Sequence, residues 1–262
     1  MRAVTNEPNF LPAGGTCRHP LSRTTEGIQP GSIRIRLGRI NSARLNSGIG
    51  LYIPRWFKED RIEVLHAEVN KISFGTIITT GPPGIMASHV PMLIDPSRGR
   101  LGTLFGHLAR GNPQWRESST GEGLATFMGP DAYVTPNWYP TKKKDGKTVP
   151  TWNYIEVQAR GPVHFFEDPK ELLEVVTVLT NHHESDSEKP WSVSEAPADY
   201  ISKESKSIVG FEMRISKIEG KWKLSQNRAK EDWEGVKLGL AKRNRPGDAS
   251  VVREMQTREP SA

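Results

Sequence analysis

Much of what usually carries enzyme chemistry is missing from this sequence. A single cysteine, Cys17, among 262 residues excludes an intrachain disulfide and any cysteine cluster for zinc or iron–sulfur binding. It suits a reducing compartment, so a cytoplasmic location is expected. No apolar run approaches the roughly 20 residues that span a bilayer, which excludes a transmembrane helix. There is no Gly-x-Gly-x-x-Gly after a strand, no P-loop, no Gly-x-Ser-x-Gly nucleophile turn and no evident carboxylate pair. Nothing in the residue pattern declares a catalytic acid, base or nucleophile.

Residues 1 to 50 lack lysine, aspartate, tryptophan and tyrosine, and carry seven Arg against two Glu. The chain's net charge of +6 therefore resides almost wholly there, because the remainder holds 29 basic against 28 acidic groups. A short Ile33, Ile35, Leu37 alternation is the only apolar pattern in this segment, too little to offset the entropy of ordering it. We expect it to be a disordered or spurious extension. Its arginine content suits a transit peptide, but four Pro and seven Gly oppose the amphipathic helix such a peptide needs, and no apolar core of a secretory signal is present.

All seven Trp lie at or after Trp56, so residues 51 to 240 form the expected domain, followed by a polar tail over 241 to 262. Phe57, Ile62, Leu65 and Val69 recur at near-helical spacing through Lys58 to Asn70. Phe74 to Thr80 is β-branched, Gly81-Pro82-Pro83-Gly84 is a turn, and Ile85 to Ile94 returns, which predicts a hairpin. Further strands are expected at Leu101 to His107, Leu124 to Met128, Ala132 to Val134, Thr151 to Ala159 and Val163 to Phe166, the last two flanking Gly161-Pro162. Asp168-Pro169 opens a helix as N-cap and first turn. Helices over Ala198 to Ser207 and Lys230 to Leu240 bracket a strand pair at Gly210 to Ile218 and Lys221 to Ser225. Many short strands with a few helices predict a mainly β barrel with helical additions.

Four clusters draw attention. His89 and Pro91 share a strand face with Ala87 and Leu93, where Pro91 removes a ladder donor; a ligand-facing bulge and a satisfied core histidine both fit. His107, Arg110, Asn112 and Gln114 follow a strand into a helical turn beside Trp115, a set suited to an anion and equally to a solvated turn. Asn153 falls on an apolar strand face, with Trp152 and Tyr154 opposite. Lys221, Lys223 and Ser225 line one side of an extended stretch that continues into Gln226 and Asn227, a strip for phosphate or a lysine-protected edge. Neighbouring His182 and His183 point to different helix faces, and Lys142, Lys143, Lys144 and Lys147 read as a solvated loop.

Together these clusters resemble the PaiB-like family, FMN-binding negative transcriptional regulators. The resembling pieces are Tyr52-Ile53-Pro54, Ala87-Ser88-His89-Val90-Pro91, Gly106-His107-Leu108-Ala109-Arg110 with Asn112-Pro113-Gln114-Trp115, Gly129-Pro130, Thr135-Pro136-Asn137-Trp138-Tyr139-Pro140, Pro150-Thr151-Trp152-Asn153-Tyr154, Pro190-Trp191-Ser192-Val193 and Gly220-Lys221-Trp222-Lys223-Leu224-Ser225-Gln226-Asn227. They run in order through Leu51 to Leu240. The resemblance implies a six-stranded Greek-key split barrel similar to pyridoxamine phosphate oxidase, forming a homodimer with FMN at the subunit interface. It implies that His89 and Pro91 approach the isoalloxazine, that His107, Arg110, Asn112 and Gln114 lie near the ribityl-phosphate, and that Lys223 to Asn227 close the site. Members of the family commonly begin Met-Tyr-Ile-Pro where this chain reads Leu51-Tyr52-Ile53-Pro54, so Leu51 is expected to be the true initiator.

Two functions follow as expectations. One is a flavin-bound repressor, although a body charge of +1 and the lack of a helix-turn-helix pattern give little support to direct DNA contact. The other is a flavin reductase or oxidase working between a nicotinamide or other small molecule and FMN, with the cofactor carrying the redox chemistry. A flavin-free dimerisation module is a third.

Overall fold

The computed structural model describes residues 50–119 and 121–260, so the expectations for residues 1 to 49 lie outside the described residues. The predicted hairpin is present: β2 (Phe74–Gly81) pairs with β3 (Gly84–Asp95) from Phe74↔Pro91 to Gly81↔Gly84. Its β-branched residues favour the extended chain, and Gly84 takes φ +108°, a conformation that a side chain would strain. The other strands are β1 (Lys58–Glu59), β4 (Thr103–Ala109), β5 (Glu122–Val134), β6 (Thr151–Phe166), β7 (Ile208–Arg214) and β8 (Lys217–Lys223).

Pairing runs β6–β5–β2–β3–β4–β7, and β7 returns to β6, so six strands close a circuit. This antiparallel ring is the split barrel; β8 and β1 extend outward from the free stretch of β6. Two expectations are corrected here. Gly161-Pro162 does not separate two strands, because β6 continues through it; a Cβ at Gly161 would run into the Arg214 carbonyl, so glycine serves a close backbone approach and not a turn. Nor do the last two strands pair with each other. β7 and β8 lie end to end along the same edge of β6, at Val163 to Phe166 and at Tyr154 to Arg160. The sequence expectation of two strands about Gly129-Pro130 becomes one strand, β5, with a bulge between Met128 and Asp131.

Alternating positions fill the ring: Ile77, Met92, Leu104, Phe127, Val157 and Phe211 belong to one buried cluster. Helix α1 (Ile62–Ile72) starts later than predicted, since Lys58 and Glu59 belong to β1, and sets Leu65 and Val69 in that cluster. Two short helical turns follow, α2 (Gln114–Glu117) and α3 (Lys142–Asp145). Helix α4 (Pro169–Glu184) begins as expected: Asp168 Oδ1 accepts the Lys170 and Glu171 amides, each at 3.0 Å. Its Leu179 packs on Leu93 and Phe105, outside the ring. Helix α5 (Ala198–Ser205) precedes β7.

The polar tail is a further correction. Helix α6 runs from Lys230 to Arg243, and α7 (Asp248–Gln256) then packs Val251 and Met255 into the main core beside Trp233, Val236 and Leu240. Buried Asp248 fixes the corner by accepting the Arg243 Nε (2.9 Å) and the Arg245 amide (2.8 Å). Only two of α7's apolar residues face fully inward, a stripe too thin to stand out in a charged sequence.

Candidate functional site

Cross-strand register lays out the outer face of β3, β2, β5, β6 and β8. One row is His89, Thr76, Thr126, Gln158 and Glu219; a neighbouring row includes Pro91 and Phe74, and Met128, Glu156 and Lys221. Large apolar side chains stand exposed on these strands: Phe74 at 59%, Ile85 at 79%, Met128 at 55% and Trp152 at 52%. Several large apolar side chains left exposed on one sheet face are consistent with a binding surface. At its β3 edge, His89 Nδ1 lies 2.7 Å from Thr76 Oγ1 and the imidazole stacks on Phe74 with centroids 6.5 Å apart.

At the β8 edge stand three cations. Lys221 is buried, with its ammonium 5.6 Å from the Tyr52 ring centroid and 5.1 Å from that of Tyr154. Lys223 Nζ donates to Thr151 Oγ1 at 2.6 Å and to the Trp152 carbonyl. Arg228 covers the Tyr139 ring at 4.9 Å. None of the three forms an ion pair among the described residues. Glu156, opposite Lys221 in the register, instead accepts the Gln158 amide at 2.6 Å. Burial, with Lys221 and Arg228 nearby, pulls Lys223 down to about 8. Cations that repel one another and form no ion pair among the described residues are suited to receive an anion.

The other predicted residues are placed differently. Asn153 is fully buried; its Oδ1 accepts from Ser225 Oγ at 2.9 Å and its amide reaches Met255 Sδ at 3.6 Å. Ser225 takes φ +67°, and Gln226 bridges the Leu224 amide and the Trp222 carbonyl. These three residues hold the turn after β8 in shape, which sets Lys223 and Arg228; Asn227 is exposed. Trp152 lies beside this group, edge-on to Tyr133 at 5.8 Å.

Around the end of β4, polar atoms are committed to the chain itself. Gln114, 2% exposed, donates to the Ile77 carbonyl and Thr79 Oγ1, and accepts from Ser88 Oγ at 2.6 Å. Asn112 donates to that same Ser88 hydroxyl at 2.7 Å and accepts the Gln114 amide. Arg110 uses all three guanidinium nitrogens, on Glu167 and on the Lys206 and Ile208 carbonyls. The expectation that Gln114 and Asn112 lie near a cofactor falls on residues already bonded within the protein: both ends of each amide are engaged, and the pair fastens α2 to the hairpin. His107 and Pro91 do come together, lining a cleft of about 340 Å3 with Leu179, Thr180, His183 and Trp191. Burial lowers the His107 pKa, favouring the neutral ring.

Sequence reasoning passed over Thr76, and Tyr154 and Arg228 stood within the clusters it singled out without being assigned to the site. Thr76 is found only through its register with His89, but Arg228 adjoins Asn227 and extends the same basic stretch.

A closed six-stranded barrel with an exposed aromatic face and an unpaired cation cluster defines a split-barrel protein equipped for a flat, anionic ligand. The family model described as "Putative FMN-binding domain" matches residues 51–217, and the chain belongs to that family. It is similar to "Protease synthase and sporulation protein PAI 2" of Bacillus subtilis, 32% identical over 207 residues covering 79% of this chain and 97% of the relative. It is also similar to the uncharacterized protein AN0679 of Emericella nidulans, 34% identical over 227 residues covering 72% and 90% of the two chains. A solved structure, that of the flavocytochrome Anf3 from Azotobacter vinelandii, matches at 11% identity with a TM-score of 0.49, over 65% of this chain and 72% of that one. FMN is thus the cofactor, and the chemistry of the residues fits it: Lys221, Lys223 and Arg228 would supply charge for a phosphate, and the exposed apolar side chains would offer a wall for a ring.

Proposed function

We propose that the chain works as a homodimeric, FMN-bound regulator of the PaiB-like type, with the flavin across the exposed sheet face where two copies meet. The observation that carries this reading is the trio Lys221, Lys223 and Arg228, which has no counter-ion of its own beside an uncovered aromatic surface. His89 and the lysine strip sit at opposite edges of one face, four strand spacings or roughly 19 Å apart. Isologous pairing of that face about a two-fold axis parallel to the strands sets the lysines of one copy toward the His89 edge of the other, so each flavin draws on both. The regulatory part of the proposal is supported by the name of the Bacillus relative, which refers to protease synthesis and sporulation. A reducing, cytoplasmic setting agrees with the single cysteine.

The His107 cleft favours a second reading, a reductase or oxidase for a small molecule. A neutral imidazole beside Pro91 offers a proton acceptor within about 340 Å3 of space, while bound FMN would supply the electron transfer. Fluorescence titration with FMN and sedimentation of the loaded protein test the main proposal: quenching with one flavin per chain in a dimer is expected, and a flavin-bound monomer overturns the shared site. A gel shift at low salt tests direct DNA contact. Bleaching of the bound flavin by reduced nicotinamide under anaerobic conditions would instead favour the second reading.

A further inference from the structure

Helices α4 and α5 line a second cavity of about 840 Å3, within the size range of small-molecule sites and sharing no residue with the exposed face. Helix α5 presents Ala198, Ile201, Ser202 and Ser205 to it, the spacing of one helical face, and buries none of its eight residues. From the other wall Leu172 and Leu173 of α4 contribute, and Val193 closes the side. The middle of the cavity is therefore apolar.

Its ends differ in charge. Arg110, Lys170, Lys206 and Glu167 all line the cavity where α4 begins. Arg110 is paired with Glu167, which leaves Lys170 and Lys206 without an ion pair among the described residues, so this end is cationic. At the other end Thr177 gives its hydroxyl to the Leu173 carbonyl, and Asn181 supplies a neutral amide. We propose that this cavity is a binding site for an apolar carboxylate, a medium-chain fatty-acid type of molecule, with its chain between α4 and α5 and its carboxylate on Lys170 and Lys206. The site is separate from the flavin face, and occupation would give α5 the apolar contacts its inner face lacks.

Decanoate is the probe, titrated calorimetrically into the full-length FMN-loaded protein, with decyltrimethylammonium as the charge-reversed control. Saturable binding of one decanoate per chain and no comparable binding of the cation are expected. The double variant Lys170→Glu/Lys206→Glu should weaken decanoate at least tenfold, and Ala198→Phe, which narrows the apolar part of the cavity, should weaken it as well. FMN affinity measured on each variant should stay unchanged, which shows the fold intact and separates this result from the fate of the flavin reading. Absence of saturable heat, equal binding of the cation, or indifference to both lysine changes would overturn the proposal. So would an Ala198→Phe protein that loses its dimer while wild type takes up no decanoate, since the cavity would then belong to a second copy.

Discussion

At the end of β4, Asn112 and Gln114 hold bonds through both ends of their amides and Arg110 through all three guanidinium nitrogens, whereas Lys221 and Lys223 of β8 and Arg228 just after it form no ion pair among the described residues. Both regions are polar, both follow a strand, and both read from sequence as anion sites. Satisfied polar groups lower the energy of the free protein and have little left to offer a ligand. Unpaired, partly desolvated cations raise that energy and return it when an anion arrives. The first region is fastened within the chain, and the proposed phosphate site draws on the second.

Substitution should separate the two. The largest effect is expected from Gln114→Leu, which strands Ser88 and the Ile77 carbonyl around a buried site and should cost about 2–3 kcal/mol in chemical denaturation. The ratio of FMN to riboflavin affinity should not move in this variant. Lys223→Ala should do the reverse: FMN affinity falls by about tenfold or more, consistent with the ~1.5–3 kcal/mol of a charged hydrogen bond, with riboflavin binding nearly unchanged and the melting temperature at neutral pH not lowered. Arg228→Ala should act in the same direction by only a few-fold, because its guanidinium also rests on Tyr139. A fall in FMN affinity for Gln114→Leu as large as that for Lys223→Ala, at equal stability, would erase the distinction.

The smallest effect is in pH. Lys223 is pulled from the ordinary lysine value of 10.5 to about 8, first by burial and then by its cationic neighbours, so between those values the unfolded chain binds the proton that the native protein has lost. Stability of the free protein should therefore rise gently as pH climbs from about 8 to about 10.5, and Lys223→Met should flatten that rise. FMN affinity should decline over the same interval as the ammonium loses its charge, with riboflavin insensitive.

Local chemistry made the hairpin, the Asp168-capped helix and the alternation of β6 readable, since β-branched runs, a Pro-Pro turn and an N-cap each have one good conformation. Long-range pairing was not legible in the same way. That β7 and β8 share one edge of β6 is decided by the length of β6, and Gly161-Pro162 mimics a turn only because a strand must be approached closely there. The charged stretch after Leu240 hid α7, whose inward stripe is Val251 and Met255. Within the site, the types of residue were legible, but whether an amide or a cation was already engaged depended on partners tens of residues away, such as Ser88 for Asn112 and Gln114 and Ser225 for Asn153.

The most direct test is a pair of titrations, FMN and riboflavin, on the wild type and on a Lys221→Ala/Lys223→Ala/Arg228→Ala variant at neutral pH. The β8 cations predict that the wild type prefers FMN by at least tenfold and that the triple variant, still folded, binds the two flavins alike. Equal affinities in the wild type, or a preference for FMN that survives loss of all three cations, would contradict a phosphate site on β8.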